Sequence, residues 1–249
     1  MDYNHLDVYA CRIIVPGMSD IYPADDLIYA NNNMGMDWRE ILLDLPHHHH
    51  DAETYEELLE GKEVITPIFN FKKGKAELVN NIKLDNNQLL VIEGIHALNP
   101  EILKDISRDS KFKIYISPTT DLNIDNHNRI PTTDNRLLRR MIRDARTRGN
   151  KAEDTLKSWN IVRRGEERFI FPYQDEADAM LNTALIYELG VLHVYALPLL
   201  YSVEINSIYY DEAKRLINLL KNILPIPSDE IPRDSIIREF IGGSCYEVQ

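Results

Sequence analysis

The sequence predicts an α/β fold, a parallel sheet flanked by helices, on three observations. Residues 89–98, LLVIEGIHAL, form a dense apolar run bounded by Asn86-Asn87 and Asn99-Pro100, the pattern of a strand buried on both faces of a parallel sheet. The stretch FKIYIS at 112–117 has the same character and follows a helix-like EILKDI, so the lengths suit a right-handed strand–helix–strand crossover. Finally, apolar residues at helical spacing around Ala184–Leu192 and Asp211–Leu220 give helices suited to covering a sheet face.

In chain order, residues 1–50 form an atypical amino-terminal segment and residues 51–249 the main domain. The segment holds Asn31-Asn32-Asn33, one strand-like run at Cys11–Val15, and four adjacent histidines, His47–His50. Adjacent histidines lack the spacing of a helical HxxxH site, so a loop is preferred to a metal-binding tract. DAETYEELLEGK then reads as a short helix with acidic residues at its start and Gly61 as its stop. VITPIFNF at 64–71 is extended and KKGK turns the chain. Between Thr133 and Lys157 lies a charged helical hairpin, with Gly149 ending its first helix, and the hairpin region spans about 133–170. ADAMLNT follows as a short strand.

Of 249 residues, 44% are hydrophobic and 27% charged, enough for a buried core. The net charge of −12 disfavours nucleic acid and an anionic membrane as partners. A local arginine cluster can still hold a small anion, because it acts over only about 8–10 Å at physiological salt. Cys11 and Cys245, the two cysteines, suggest neither a disulfide framework nor a cysteine zinc site and point to a reducing cytoplasm. The first residues lack a signal-peptide pattern, and no apolar run is long enough to span a bilayer.

Two constellations carry chemistry. Glu93-Gly94 closes the buried strand, where open α/β sheets bind ligands; the acid either orders Mg²⁺ through water or caps a turn. Arg136, Arg139, Arg140, Arg143 and Arg146 share one helix, and steps of three and four bring several onto one face. That helix is either a solvated charged face or an anion-binding one. Phosphoryl transfer depends on positioning and charge stabilisation, which arginines closing over phosphates supply.

The ordered series LLVIEGIHALNPEI, FKIYIS, IPTTDNRLLRRMIRDARTRG, W-x-x-V-x-x-GEE at Trp159 to Glu167, FIFPYQDEADAMLNT and IPxxSIIREFIGGS resembles the bacterial nucleoside kinases of the uridine kinase and phosphoribulokinase family. The likeness runs from about Glu57 to the carboxyl terminus. It implies a P-loop-kinase-like fold with an Arg-rich helical lid, ATP and Mg²⁺ as cofactors, and γ-phosphoryl transfer to a nucleoside 5′-hydroxyl. Its implied partners are nucleosides and nucleotides, with a homo-oligomer compatible. Matched by position, Arg136 and Arg139 are lid arginines, Arg143 and Arg148 extend the basic surface, and Glu93 with Gly94 follows the second nucleotide-binding strand. Phe69 and Phe71 lie beside the base, Asp37 contacts the ribose, and Asp26 of Asp25-Asp26 supplies the catalytic base.

Two departures qualify the resemblance. No GxxxxGK[ST] occurs: Gly61-Lys62 and Gly74-Lys75 precede Glu63 and Ala76, so the backbone and lysine cradle for phosphates is absent from the sequence. Gly74 also stands where uridine kinases carry a histidine, leaving the nucleoside open. The sequence therefore supports an ATP-dependent nucleoside kinase, or alternatively a degenerate nucleoside- or nucleotide-binding domain. On the lid reading, Arg139→Ala should weaken phosphate binding by about 1–3 kcal/mol and leave stability nearly unchanged.

Overall fold

The computed structural model describes residues 9–14, 40–44, 57–70, 75–84, 89–93, 97–100, 104 and 106–246. The chain divides into two compact units, Met1–Ile116 with Gly165–Leu181, and Ser117–Arg164 with Asn182–Gln249.

The first unit carries the sheet. Strands β1 (Tyr9–Ile14), β2 (Glu40–Asp44), β5 (Leu89–Glu93), β6 (Lys111–Ser117) and β7 (Ala179–Asn182) lie in the order β2-β5-β1-β6-β7. β2 and β5 pair in parallel, Glu40 opposite Leu89 and Asp44 opposite Glu93. β1 is antiparallel to both β5 and β6, so those two strands share one direction. Asp178 N–H donates to the Lys113 carbonyl and Thr183 N–H to that of Ser117, which sets β7 parallel to β6. Four of the five strands thus run one way, as the apolar runs predict, and β1 alone is reversed. Leu90, Val91 and Ile92 are all buried, so β5 has no solvated face along these residues, and this is why its sequence shows no alternation.

Two further strands, β3 (Glu63–Asn70) and β4 (Lys75–Lys83), form a separate antiparallel pair. Its register shifts between Thr66 and Pro67, where a residue without an N–H interrupts the ladder. Most of EILKDI lies outside the described residues. On β6, buried Lys113 meets Glu176 at 3.0 Å. Asp178 accepts from the Lys113 N–H at 2.7 Å and from Arg108.

The second unit is helical: α1 (Thr132–Arg148), the first part of α2 (Ala152–Phe169), α3 (Glu188–Tyr201), α4 (Tyr210–Leu220) and the short α5 (Arg238–Ile241). Gly149 ends α1 with φ of 68°, its N–H bonded to the Asp144 carbonyl, a left-handed cap that glycine adopts without steric cost. On α4, Ala213, Leu216, Ile217 and Leu220 face inward, the spacing of a one-sided helix. They join Leu137, Leu138, Met141, Leu192 and Ala196 in one core.

α3 is held close to the 224–226 segment at Gly190. A Cβ built there lies 2.7 Å from two Ile226 side-chain atoms and 2.9 Å from the Leu224 carbonyl oxygen. Gly190→Ala gains helix propensity of about 1 kcal/mol, but overpacking against backbone costs about 1–3 kcal/mol. Urea denaturation is therefore expected to show a net loss of stability; a more stable variant means that the 224–226 segment yields freely.

Candidate arginine site

Helix α1 places its cations by spacing alone. Arg136, Arg139, Arg140 and Arg143 recur at three- and four-residue steps, but every residue from Asp134 to Asp144 is buried. Such a helix is surrounded rather than one-sided. The solvated-face alternative is therefore excluded for these four, and the expectation that Arg139→Ala leaves stability nearly unchanged is corrected: these guanidinium groups lie inside the second unit.

Burying a guanidinium is costly unless it is paired, and the partners are specific. Arg139, 1% exposed, donates to Glu188 at the start of α3 and to the Thr183 carbonyl at 2.8 Å. Glu188, equally buried, also accepts from the Asn135 side-chain amide and from the Leu185 N–H at 2.9 Å. The Arg139 guanidinium carbon stands 4.9 Å from the centre of the Phe240 ring and that of Arg143 5.9 Å from it. Arg143 reaches Glu239 at 3.6 Å and Asp144 at 3.7 Å. Asp144 also serves Arg140 at 3.3 Å and Arg148 at 3.1 Å, one buried carboxylate shared by three guanidinium groups. Arg136 lies over Trp159 of α2 at 5.8 Å.

Chemically, this is a row of cations backed by aromatic faces and a few carboxylates. Planar guanidinium forks match the oxygens of phosphate and carboxylate groups. Asp134, at the first turn of α1, is held by both terminal nitrogens of Arg215 at 2.7 Å each. Arg215 also donates to both oxygens of Glu212, and that hydrogen bonding holds the Glu212 carboxyl below its ordinary range. A carboxyl depressed on folding contributes stability above its unfolded pKa and loses it as pH falls through the folded one. Melting temperatures measured into the acid range should accordingly fall less steeply for Glu212→Gln than for the parent, by a small margin because the pair is half exposed. Parallel curves mean that Glu212 makes no such contribution.

The same unit holds an apolar cavity of about 250 Å³ between Leu122 and Ile130, the start of α3, and Leu224 and Ile226. None of the α1 arginines lines it. Beside it, Asp125 accepts from the Asn128 side chain and from the backbone of His127 and Asn128; the side-chain bond is the largest of the causes that lower its pKa.

Of the residues singled out from sequence, Arg136, Arg139, Arg143 and Arg148 come together on α1. Glu93 is the last residue of β5 and Phe69 lies in β3 opposite Ala76. Asp26, Asp37, Phe71, Gly94, His47–His50 and the boundary at residue 50 lie outside the described residues. Sequence reasoning missed Glu188, Glu239 and Phe240, and also Asp44, the register neighbour of Glu93 at the carboxyl end of a parallel strand. An acid opening an apolar helical run, at Glu188, was the one available signal. Among the described residues no group of three or more His, Cys, Asp or Glu is placed to hold a metal ion, and no helix is long and apolar enough to cross a membrane.

A mostly parallel sheet and an arginine-rich helical hairpin define an α/β protein of the P-loop-kinase-like class. Residues 49–186 match the family model of the Phosphoribulokinase / Uridine kinase family. This chain belongs to that family. Over 127 residues it is 29% identical to a uridine kinase of Staphylococcus epidermidis, covering 51% of this chain and 53% of that protein. A 60-residue stretch is 95% identical to an uncharacterised protein of Haemophilus influenzae, and 59 residues are 63% identical to the ribosomal protein S12 methylthiotransferase accessory factor YcaO of Escherichia coli. Each of these covers 24% of this chain and 10% of the relative. The chain thus spans about half the length of the uridine kinase and a tenth of the other two.

Proposed function

We propose that this chain acts as a uridine-type nucleoside kinase, in which ATP gives its γ-phosphoryl group to a nucleoside 5′-hydroxyl. The observation that carries this reading is the α1 row, in which Arg139 and Arg143 lie over one aromatic ring within a family of phosphotransferases. In this reading Arg136, Arg139, Arg143 and Arg148 meet phosphate oxygens and offset the charge that spreads over them during transfer. Asp26 takes the proton of the acceptor hydroxyl, Asp37 holds the ribose, and Phe69 and Phe71 lie along the base. Mg²⁺ would supply charge neutralisation to the phosphates, and Glu93, with Asp44 its register neighbour, would hold it, since one or two protein carboxylates suffice; Gly94 would let backbone approach the ligand.

A second reading rests on one feature of the sequence. No GxxxxGK[ST] segment is present, and the backbone amides and lysine of that segment are a large part of phosphate binding in such enzymes. The second reading is a domain that binds nucleoside or nucleotide without turning it over.

One experiment separates the readings. The purified chain is incubated with ATP, MgCl₂ and uridine, then with other nucleosides, while monophosphate formation is followed and calorimetry measures binding of ATP and of each nucleoside. Turnover supports the kinase, and binding of a nucleoside or of ATP without turnover supports the binding domain. Binding of none of them at millimolar concentration removes both.

A further inference from the structure

We propose that the apolar cavity of the helical unit binds a small uncharged ring compound, of one or two fused rings with an N–H or O–H donor on one edge. Its volume of about 250 Å³ exceeds the roughly 150 Å³ at which an apolar cavity takes up benzene, so a fused bicyclic ring is admitted. Among the described residues none that lines it carries a charge. An ionic ligand would therefore lose its hydration there without compensation, which excludes phosphates. The polar side chains along it are Asn123, Tyr187 and Asn222. The Tyr187 hydroxyl is engaged with Ser235 at 3.3 Å, and Asn222 uses Nδ2 on the Asn218 carbonyl at 2.8 Å. What Asn222 offers a ligand is its Oδ1, an acceptor, and this selects a ring that carries a donor.

The walls hold the cavity open. On one side the chain forms a hairpin, in which Ile124 N–H donates to the Asn128 carbonyl at 2.8 Å and Ile130 N–H to that of Leu122 at 2.9 Å. Arg129 ties its base to the Thr120 carbonyl, from Nε at 3.2 Å and Nη2 at 2.9 Å. On the other side Ile226 N–H donates to the Gly190 carbonyl at 2.9 Å, and this segment already presses on α3 where Gly190 leaves no room for a Cβ. Neither wall can move inward without breaking these contacts, so the site is preformed and binding has little ordering cost. At the rim, Ile124 is 41% exposed, Ile186 83% and Leu224 84%. Large apolar side chains left in water around a single cavity mark a binding surface, and a ligand seated among them removes that area from water.

The test uses the full chain with ¹³C-labelled isoleucine methyls, Ile130 and Ile226 being assigned through their valine variants. It is titrated with indole and phenol, which represent a free aromatic compound, and with uridine and adenosine, which carry the same ring chemistry on a ribose. We expect at least one of the four to shift both methyls saturably, with a Kd on the order of 0.1 mM, and sodium phosphate to leave them unmoved. Shifts from the nucleosides alone identify the ring as a base. Ile124→Asp should weaken binding about tenfold or more with the melting temperature unchanged, and Leu224→Asp is used if the first variant is destabilised. Ile124→Val should bind like the parent. The absence of a saturable shift with any of the four at millimolar concentration overturns the proposal, as does binding that survives both aspartate variants. Sedimentation in which the parent dimerises and both aspartate variants do not, with no ligand shift, overturns it in favour of a contact between copies. None of these readouts depends on turnover, so the kinase reading can fail without touching this one.

Discussion

Replacing Arg139 by alanine is expected to destabilise the chain by about 3–5 kcal/mol, because it leaves Glu188 buried without its counter-charge. Both side chains are almost wholly inaccessible. The Leu185 N–H and the Asn135 amide that also reach Glu188 offset only part of an isolated carboxylate's desolvation. A loss of this size in a chain of 249 residues lowers the melting temperature by on the order of 10 °C. Two controls give the experiment its content. Glu188→Leu combined with Arg139→Met removes both charges and should recover much of the loss, since apolar replacement of a buried pair is often neutral or better. Arg139→Lys keeps the charge but neither the planar fork nor the stack on Phe240, and should fall between. Denaturant titrations in which Arg139→Ala matches the parent within about 0.5 kcal/mol restore the expectation that Arg139 has no part in stability. With a stability effect this large, activity lost in that variant cannot be assigned to chemistry, which is why the functional tests above rest on other substitutions.

The second large effect is expected at Leu138, next to Arg139 on α1 and 0% exposed. Truncation to alanine opens a void in the α1, α3 and α4 core, and such changes cost about 2–5 kcal/mol. Leu181 on the edge strand β7, 53% exposed, is the internal control, with an expected change within about 0.5 kcal/mol. Equal effects at the two sites contradict the placement of α1 at the centre of the helical unit. The contrast is useful because the two leucines cannot be distinguished by residue type, only by what surrounds them.

Much of the architecture is legible because it is local. LLVIE is a strand since four apolar side chains in succession satisfy a sheet with both faces covered. The turn at Gly149 is legible since only a residue without a side chain takes that φ easily. The row Arg136, Arg139 and Arg143 follows from helix pitch, and the match to the kinase family agrees with the motifs that surround it. Less legible was α3, predicted around Ala184–Leu192 but observed over Glu188–Tyr201. Its apolar residues surround the helix, so they give no sharp boundary, and Pro198 suggests a break. Pro198 sits one turn from the end, and Ser202 N–H still reaches its carbonyl at 3.2 Å.

What the amino-acid order determined by itself is therefore the strands β5 and β6 and the arginine-bearing helix, the family to which they belong, and the presence of many cations on that helix. Only the tertiary structure decided that those cations are interior, which carboxylates hold them, and that β1 runs against its neighbours. Helix pitch and strand alternation act between residues a few positions apart. The Arg139–Glu188 pair spans 49 residues and the Arg146–Phe240 contact 94. Charge neutralisation over such separations depends on where the chain returns after folding, and nothing in the spacing of α1 distinguishes an arginine facing water from one facing Phe240.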